Sequence, residues 1–111
     1  MIGSICIITS KPLGDELSTL AVRAAYTTFN MGLESNLLLI GDGVYNALKN
    51  SKGYKAETMK AYMGDEGEVK VHQKSLEERG LSEGDLMEGV QVINDDEVAS
   101  LMESFEAFST F

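Results

Sequence analysis

His72 and Cys6 are the single imidazole and the single thiol of this 111-residue chain. Histidine titrates nearest neutral pH, so His72 is a candidate general base, metal ligand or surface polar group. Cys6 stands within Ile5-Cys6-Ile7-Ile8, where a thiol behaves as a small buried hydrophobe with a raised pKa and poor reactivity. One Cys makes no internal disulfide, and one Cys with one His makes no zinc site unless carboxylates join at unmotivated spacings. No metal or cofactor is expected.

Three turns carry the remaining polar chemistry. Thr9-Ser10-Lys11-Pro12-Leu13-Gly14 offers hydroxyls and a lysine ahead of a helix start, the ingredients of an anion site. It lacks the GxxxxGK[ST] spacing of a phosphate loop, and Asp15 would repel a phosphate. Gly41-Asp42-Gly43 reads as a tight turn in which Asp42 caps the next helix. His72-Gln73-Lys74-Ser75 is the third turn. The candidate site is therefore His72 for catalysis, with Ser10, Lys11, Asp42, Gly43 and Gln73 as ligand contacts and no metal. A Ser-His-Asp or Cys-His constellation is not legible without knowing which residues meet in space. A phosphoacceptor receiver domain is excluded, because its magnesium site needs acidic residues where this chain has Thr9-Ser10.

The elements that position these turns alternate in type. Residues 2–9 are apolar and β-branched without clean alternation, as in a strand covered on both faces, and read as the first, central strand. Leu17, Leu20, Ala21, Ala24, Ala25 and Phe29 recur at helical spacing, with Asp15 as cap and Gly32 as stop. Residues 36–40 form a second buried strand, followed by a short helix through Val44, Ala47 and Leu48. Residues 49–68 hold an amphipathic turn around Met59, Tyr62 and Met63.

A third strand spans 68–72, and Ser75–Arg79 make a helical turn closed by Gly80. Ser82 with Asp85 approximates a capping box before Leu86 and Met87. Val90–Ile93 is a fourth strand, Asp95 caps a helix with Val98, Leu101, Met102 and Phe105 on one face, and Ala107–Phe111 close the sheet. Such alternation implies one α/β layer domain over 1–111, with a mostly parallel five-stranded sheet and helices on both faces. Ligands in such sheets collect beyond the carboxyl ends of the strands.

Eighteen Asp and Glu against nine Lys and Arg give a formal net charge of −9. Phosphodiester backbones and anionic membranes attract a Lys/Arg surplus, so direct nucleic-acid or membrane binding is not expected. The longest apolar runs fall far short of the roughly 20 residues that span a bilayer. The first residues read without a basic leader, so the protein is expected in the cytoplasm.

Ser10-Lys11-Pro12 to Gly14, the stretch Leu37-Leu38-Leu39-Ile40-Gly41-Asp42-Gly43-Val44, and Val71 through Leu81 (VHQKSLEERGL) together resemble the DsrE/DsrF/DsrH-like superfamily of small sulfur-relay subunits. The resemblance covers nearly the whole chain. It implies a flavodoxin-like α/β fold that assembles into homo-oligomers, or into hetero-oligomers with paralogues, and meets a sulfur-donor or acceptor protein in tRNA thiolation or sulfur oxidation. Active members carry a persulfide on a Cys, and that position, counted back from Arg79-Gly80, is His72 here. An imidazole cannot hold a persulfide. Three readings follow: a non-catalytic subunit of a sulfur-relay assembly, a small-molecule or anion-binding module around His72, Lys11 and Asp42, or a sulfur carrier through Cys6. Met87, Met102, Phe105, Phe108 and Phe111 are candidates for an interface or for the core.

Overall fold

Five strands form one sheet in the order β4-β3-β2-β1-β5 in the computed structural model, which describes residues 3–12, 15–51 and 53–111. The strands are β1 (Ser4–Thr9), β2 (Glu34–Leu39), β3 (Glu68–His72), β4 (Gln91–Ile93) and β5 (Ala107–Thr110). All four pairings are parallel. The helices are α1 (Glu16–Asn30), α2 (Tyr54–Gly64), α3 (Gln73–Glu78) and α4 (Asp95–Ser104), with 3-10 turns at Gly41–Ala47 and Glu83–Asp85. The middle of the sheet is β2; β1 lies one place from the edge, where β5 flanks it, which corrects the expectation of a central first strand.

The two faces are covered unequally. Strands β1 to β4 step in one direction across the sheet, so right-handed crossovers put their connections on one face. There Ile7, Leu37, Leu39, Val69 and Val71 meet Ala21, Val22 and Ala25 of α1, Met59 and Tyr62 of α2, and Leu76 of α3. The step from β4 back to β5 runs the other way, and α4 accordingly covers the opposite face, where Leu101 packs on Cys6, Ile8, Leu38 and Ile93. Helices on both faces were expected; a single helix on one of them follows from the strand order.

Several local expectations are corrected. Residues 49–68 hold an α-helix of 11 residues rather than a turn, starting from Gly53. Its Tyr62 ring is fully buried and its hydroxyl donates to the Ser35 carbonyl at 3.0 Å. The second strand starts at Glu34 and leaves Ile40 outside as the residue before the 3-10 turn. Asp42 does not cap that turn, and α4 is capped by Asn94, whose side chain accepts from the Glu97 amide while Glu97 closes a capping box; Asp95 is freed for another partner. The Ser82–Asp85 capping box forms as expected. Leu17 and Leu20, expected against the sheet, are exposed; Ala21 and Ala25 are buried as expected, and Ser18 and Val22 are buried beside them. Met87 is buried and Phe105 and Phe111 pack against the core, whereas Met102 and Phe108 remain exposed.

Gly67 leads into β3 against the Tyr62 ring, and a Cβ there would overlap Cε1 and Cδ1 of that ring. The ring is fully buried and has no room to retreat. Gly67→Ala is therefore expected to lower stability by about 1–3 kcal/mol, the usual range for overpacking, read as a shifted urea midpoint.

Candidate functional site

Neighbouring connections diverge at one place in this sheet. The chain leaves β3 for α3 on one face and leaves β4 for α4 on the other, which opens a crevice beyond the carboxyl ends of those two strands. His72 is the last residue of β3 and Asp95 the first of α4, and they bridge the crevice through Nε2 and Oδ1 at 2.5 Å. On its other side the ring meets Ser75 Oγ at 2.8 Å through Nδ1. Ser75 Oγ in turn accepts the Gly41 N–H at 3.0 Å.

The hydrogens follow from what each group offers. A carboxylate only accepts, so Nε2 carries a hydrogen and donates to Asp95, and in the neutral ring Nδ1 accepts the Ser75 hydroxyl hydrogen. The hydrogen bond from His72 holds the Asp95 carboxyl below the ordinary carboxylate range, with desolvation opposing it and the charges of His72 and Lys74 assisting. These three residue types are those of a hydrolytic triad, in a different arrangement. Here the hydroxyl is the buried end and the carboxylate the exposed end. The hydroxyl orients the ring from inside, and the chain of bonds does not present a nucleophile to solvent.

Around this centre the expected residues fall into groups. Asp42 Oδ1 receives Arg79 Nε at 3.0 Å and Nη2 at 2.9 Å, and Arg79 Nη1 donates to the Ser75 carbonyl. Arg79 therefore ties the second turn to the third. Gly43 lies so close to the end of β1 that a Cβ there would collide with the Thr9 carbonyl oxygen, and Ser10 borders Gly41. Ser10, Asp42, Gly43 and His72 thus share one sheet edge. Gln73 faces a shallow cavity of about 330 Å³ lined also by Lys74, Glu77, Asn94 and Asp95. Leu13 and Gly14 of the first turn lie outside the described residues. Among the described residues no three His, Cys, Asp or Glu side chains converge as a metal site would require.

Asp95, Arg79 and Lys55 were not among the expected site residues, and Ser75 was named only as the last residue of the third turn. The ammonium of Lys55 is buried and donates to Ser18 Oγ and, at 3.2 Å, to Asn46 Oδ1. Asn46 passes the connection on, donating to the carbonyls of Lys11 and Gly43 at 2.9 Å each. Desolvation pulls the Lys55 pKa down while Asp15 opposes it. One cation thus fastens α1, α2 and the first two turns. Only the Ser75 to Arg79 spacing, one helical turn, offered any signal in the sequence.

Cys6 is fully buried between Asn36 of β2 and Phe108 of β5 in the sheet register. Burial pushes its thiol up from 9.0 to about 11, with Lys70 pulling the other way.

An all-parallel sheet with its polar side chains gathered at a β3–β4 crevice defines an α/β layer protein with its site at the strand ends. The chain belongs to the DsrE/DsrF-like family, which it matches over residues 3–111. It is 31% identical over 109 residues to the uncharacterized protein MJ0989 of Methanocaldococcus jannaschii, covering 95% of this chain and 96% of that one. The uncharacterized protein MK0008 of Methanopyrus kandleri is 32% identical over 90 residues, 78% of this chain and 74% of its own. The YchN protein of E. coli superposes with a TM-score of 0.87 at 24% identity, covering 100% of both chains. MTH1491 of Methanobacterium thermoautotrophicum, a protein of unknown function, gives 0.72 at 18% identity over 97% of each. These structural likenesses show the fold.

Two outcomes are expected of the site chemistry. A thiol held at about 11 has about a hundredfold less thiolate near neutral pH than one at 9.0, and burial slows access further. Labelling of native Cys6 by a thiol reagent should therefore run at least about a hundredfold slower than in the urea-unfolded chain. For Asp95 the folded pKa is depressed, so its contribution is present above the ordinary carboxylate value and is lost as pH falls through the lowered one. Asp95→Asn should lower the urea midpoint at pH 6, and the gap to the native chain should close below about pH 4.

Proposed function

We propose that this protein is a non-catalytic subunit of an oligomeric sulfur-relay assembly, shaping the complex while a thiol-bearing homologue carries the persulfide. One observation carries this reading: the single Cys of the chain is fully buried in β1, with its thiol pushed up to about 11. A carrier must present a thiolate that takes a sulfur atom and yields it to the next nucleophile, and a buried, protonated thiol does neither. Cys6 is thus disfavoured as the carrier. Family membership supports a sulfur-relay type of fold, and the resemblance puts His72 at the position of the family's sulfur-carrying Cys.

In this reading His72 belongs to a docking edge. Its ring is fixed by Asp95 and Ser75, and the Arg79–Asp42 pair stiffens the neighbouring turn, so a partner's persulfide would meet an ordered polar rim. The partners are a thiol-bearing paralogue and its sulfur donor or acceptor, in a cytoplasmic pathway such as tRNA 2-thiolation or sulfur oxidation. With a net charge of −9 the chain would not itself hold the nucleic acid. Among the described residues no helix is long and apolar enough to cross a membrane.

The test is the native mass and subunit content of the tagged protein purified gently from its own host. A mixed assembly with a homologue bearing Cys at the His72 position is expected. Recovery of this chain alone, from cells that express such a homologue, would overturn the reading and shift the weight to a ligand-binding module around His72.

A further inference from the structure

A second cavity lies where α2 leads to β3 and Gly89 leads to β4, at the opposite ends of those strands from His72 and Asp95. After the 3-10 turn Gly41–Ala47 the chain runs antiparallel to the segment before β4. Leu48 bridges Leu86, the Ala47 carbonyl accepts the Met87 N–H at 2.8 Å, and the Lys49 N–H donates to the Asp85 carbonyl at 2.9 Å. Between this ribbon and the last turn of α2 is a cavity of about 430 Å³, a size within the range of small-molecule sites.

Its floor is apolar. Met63 packs against the core and Met87 is buried, and thioethers on unbranched chains adapt to the shape laid against them. Gly64 and Gly89 bring no side chain into the space. Gly89 holds a left-handed φ of +94, and a Cβ there would stand 3.6 Å from the Met63 sulfur. The rim is charged, with two ammonium groups from Lys49 and Lys60 and one carboxylate from Glu88. Lys49 is tethered by donating to the Gly84 carbonyl at 2.8 Å, whereas neither Lys60 nor Glu88 makes an ion pair among the described residues. Two cations against one anion leave a local excess of positive charge in a chain whose net charge is −9.

We propose that this cavity binds a small apolar monocarboxylate, its hydrocarbon body on Met63 and Met87 and its carboxylate on Lys49 and Lys60. One negative charge balances the local excess, and the apolar wall strengthens the attraction by lowering the local dielectric. Glu88 repels a second negative charge, which selects against dicarboxylates and phosphate esters. The site is separate from the His72 edge, and its occupancy is independent of the sulfur-relay reading.

Backbone amide and methionine methyl NMR spectra of the full chain, titrated with 3-phenylpropanoate, test the proposal. Shifts are expected at Lys49, Lys60 to Gly64 and Met87 to Gly89, saturating with a Kd of about 1 mM or tighter. The neutral 3-phenylpropan-1-ol and the dianion glutarate should each bind at least about tenfold more weakly, the first lacking the charge and the second repelled by Glu88. Lys60→Glu, at an exposed position, should weaken 3-phenylpropanoate by about tenfold or more, and Glu88→Gln should narrow its advantage over glutarate. The dispersion of the same spectra reports whether each variant is folded; if Lys60→Glu is not, Lys60→Gln replaces it. Absence of these shifts at about 5 mM overturns the proposal, as do equal shifts from the alcohol or binding indifferent to the change at Lys60.

Discussion

Right-handed crossover in a parallel sheet is the constraint on which the rest of this structure depends. Strands β1 to β4 march across the sheet with their helices on one face, and the return from β4 to β5 has to cross on the other. That single reversal separates the turns after β3 and β4. It creates the crevice, and it brings His72 from one side of the sheet and Asp95 from the other to within 2.5 Å. No local preference of either residue would do this, since they stand 23 positions apart.

The polar network behind the crevice is built so that most of its buried groups are answered. Ser75 accepts from Gly41 and meets His72; Asn46 spans Lys11, Gly43 and Lys55; Arg79 joins Asp42 to the Ser75 carbonyl. A buried cation such as Lys55 is costly unless hydrogen-bonded, and its lowered pKa records that cost. The benefit is rigidity at the ends of β1, β2 and β3. Held from behind in this way, the imidazole is fixed, and the one hydroxyl beside it is enclosed.

The same physics excludes the thiol. Cys6 is flanked by strands on both sides and covered by α4, so the sheet that brings the polar turns together is also what seals the one sulfur nucleophile of the chain. Surface chemistry then lies in the imidazole rim and in the lysine-flanked cavity at the end of α2.

Periodicity in the sequence was enough for the strand and helix alternation, the parallel sheet and the burial of Cys6, because apolar runs and caps act over a few residues. It misplaced Leu17 and Leu20, since a helix with two apolar flanks does not say which one meets the sheet. It also left α2 as a turn, because its apolar residues are interrupted by Lys55, Lys60 and Gly64, and the burial of Lys55 has no local signal. Asp42 and Asp95 read as caps, the commonest local use of Asp, while their long-range partners were invisible. The residue types available to the site, and the lack of a second thiol, were determined by the sequence alone. Which of them meet, which way the imidazole is turned and which face of α1 is free were decided only by the tertiary structure, because those follow from crossover direction and sheet order rather than from neighbours along the chain.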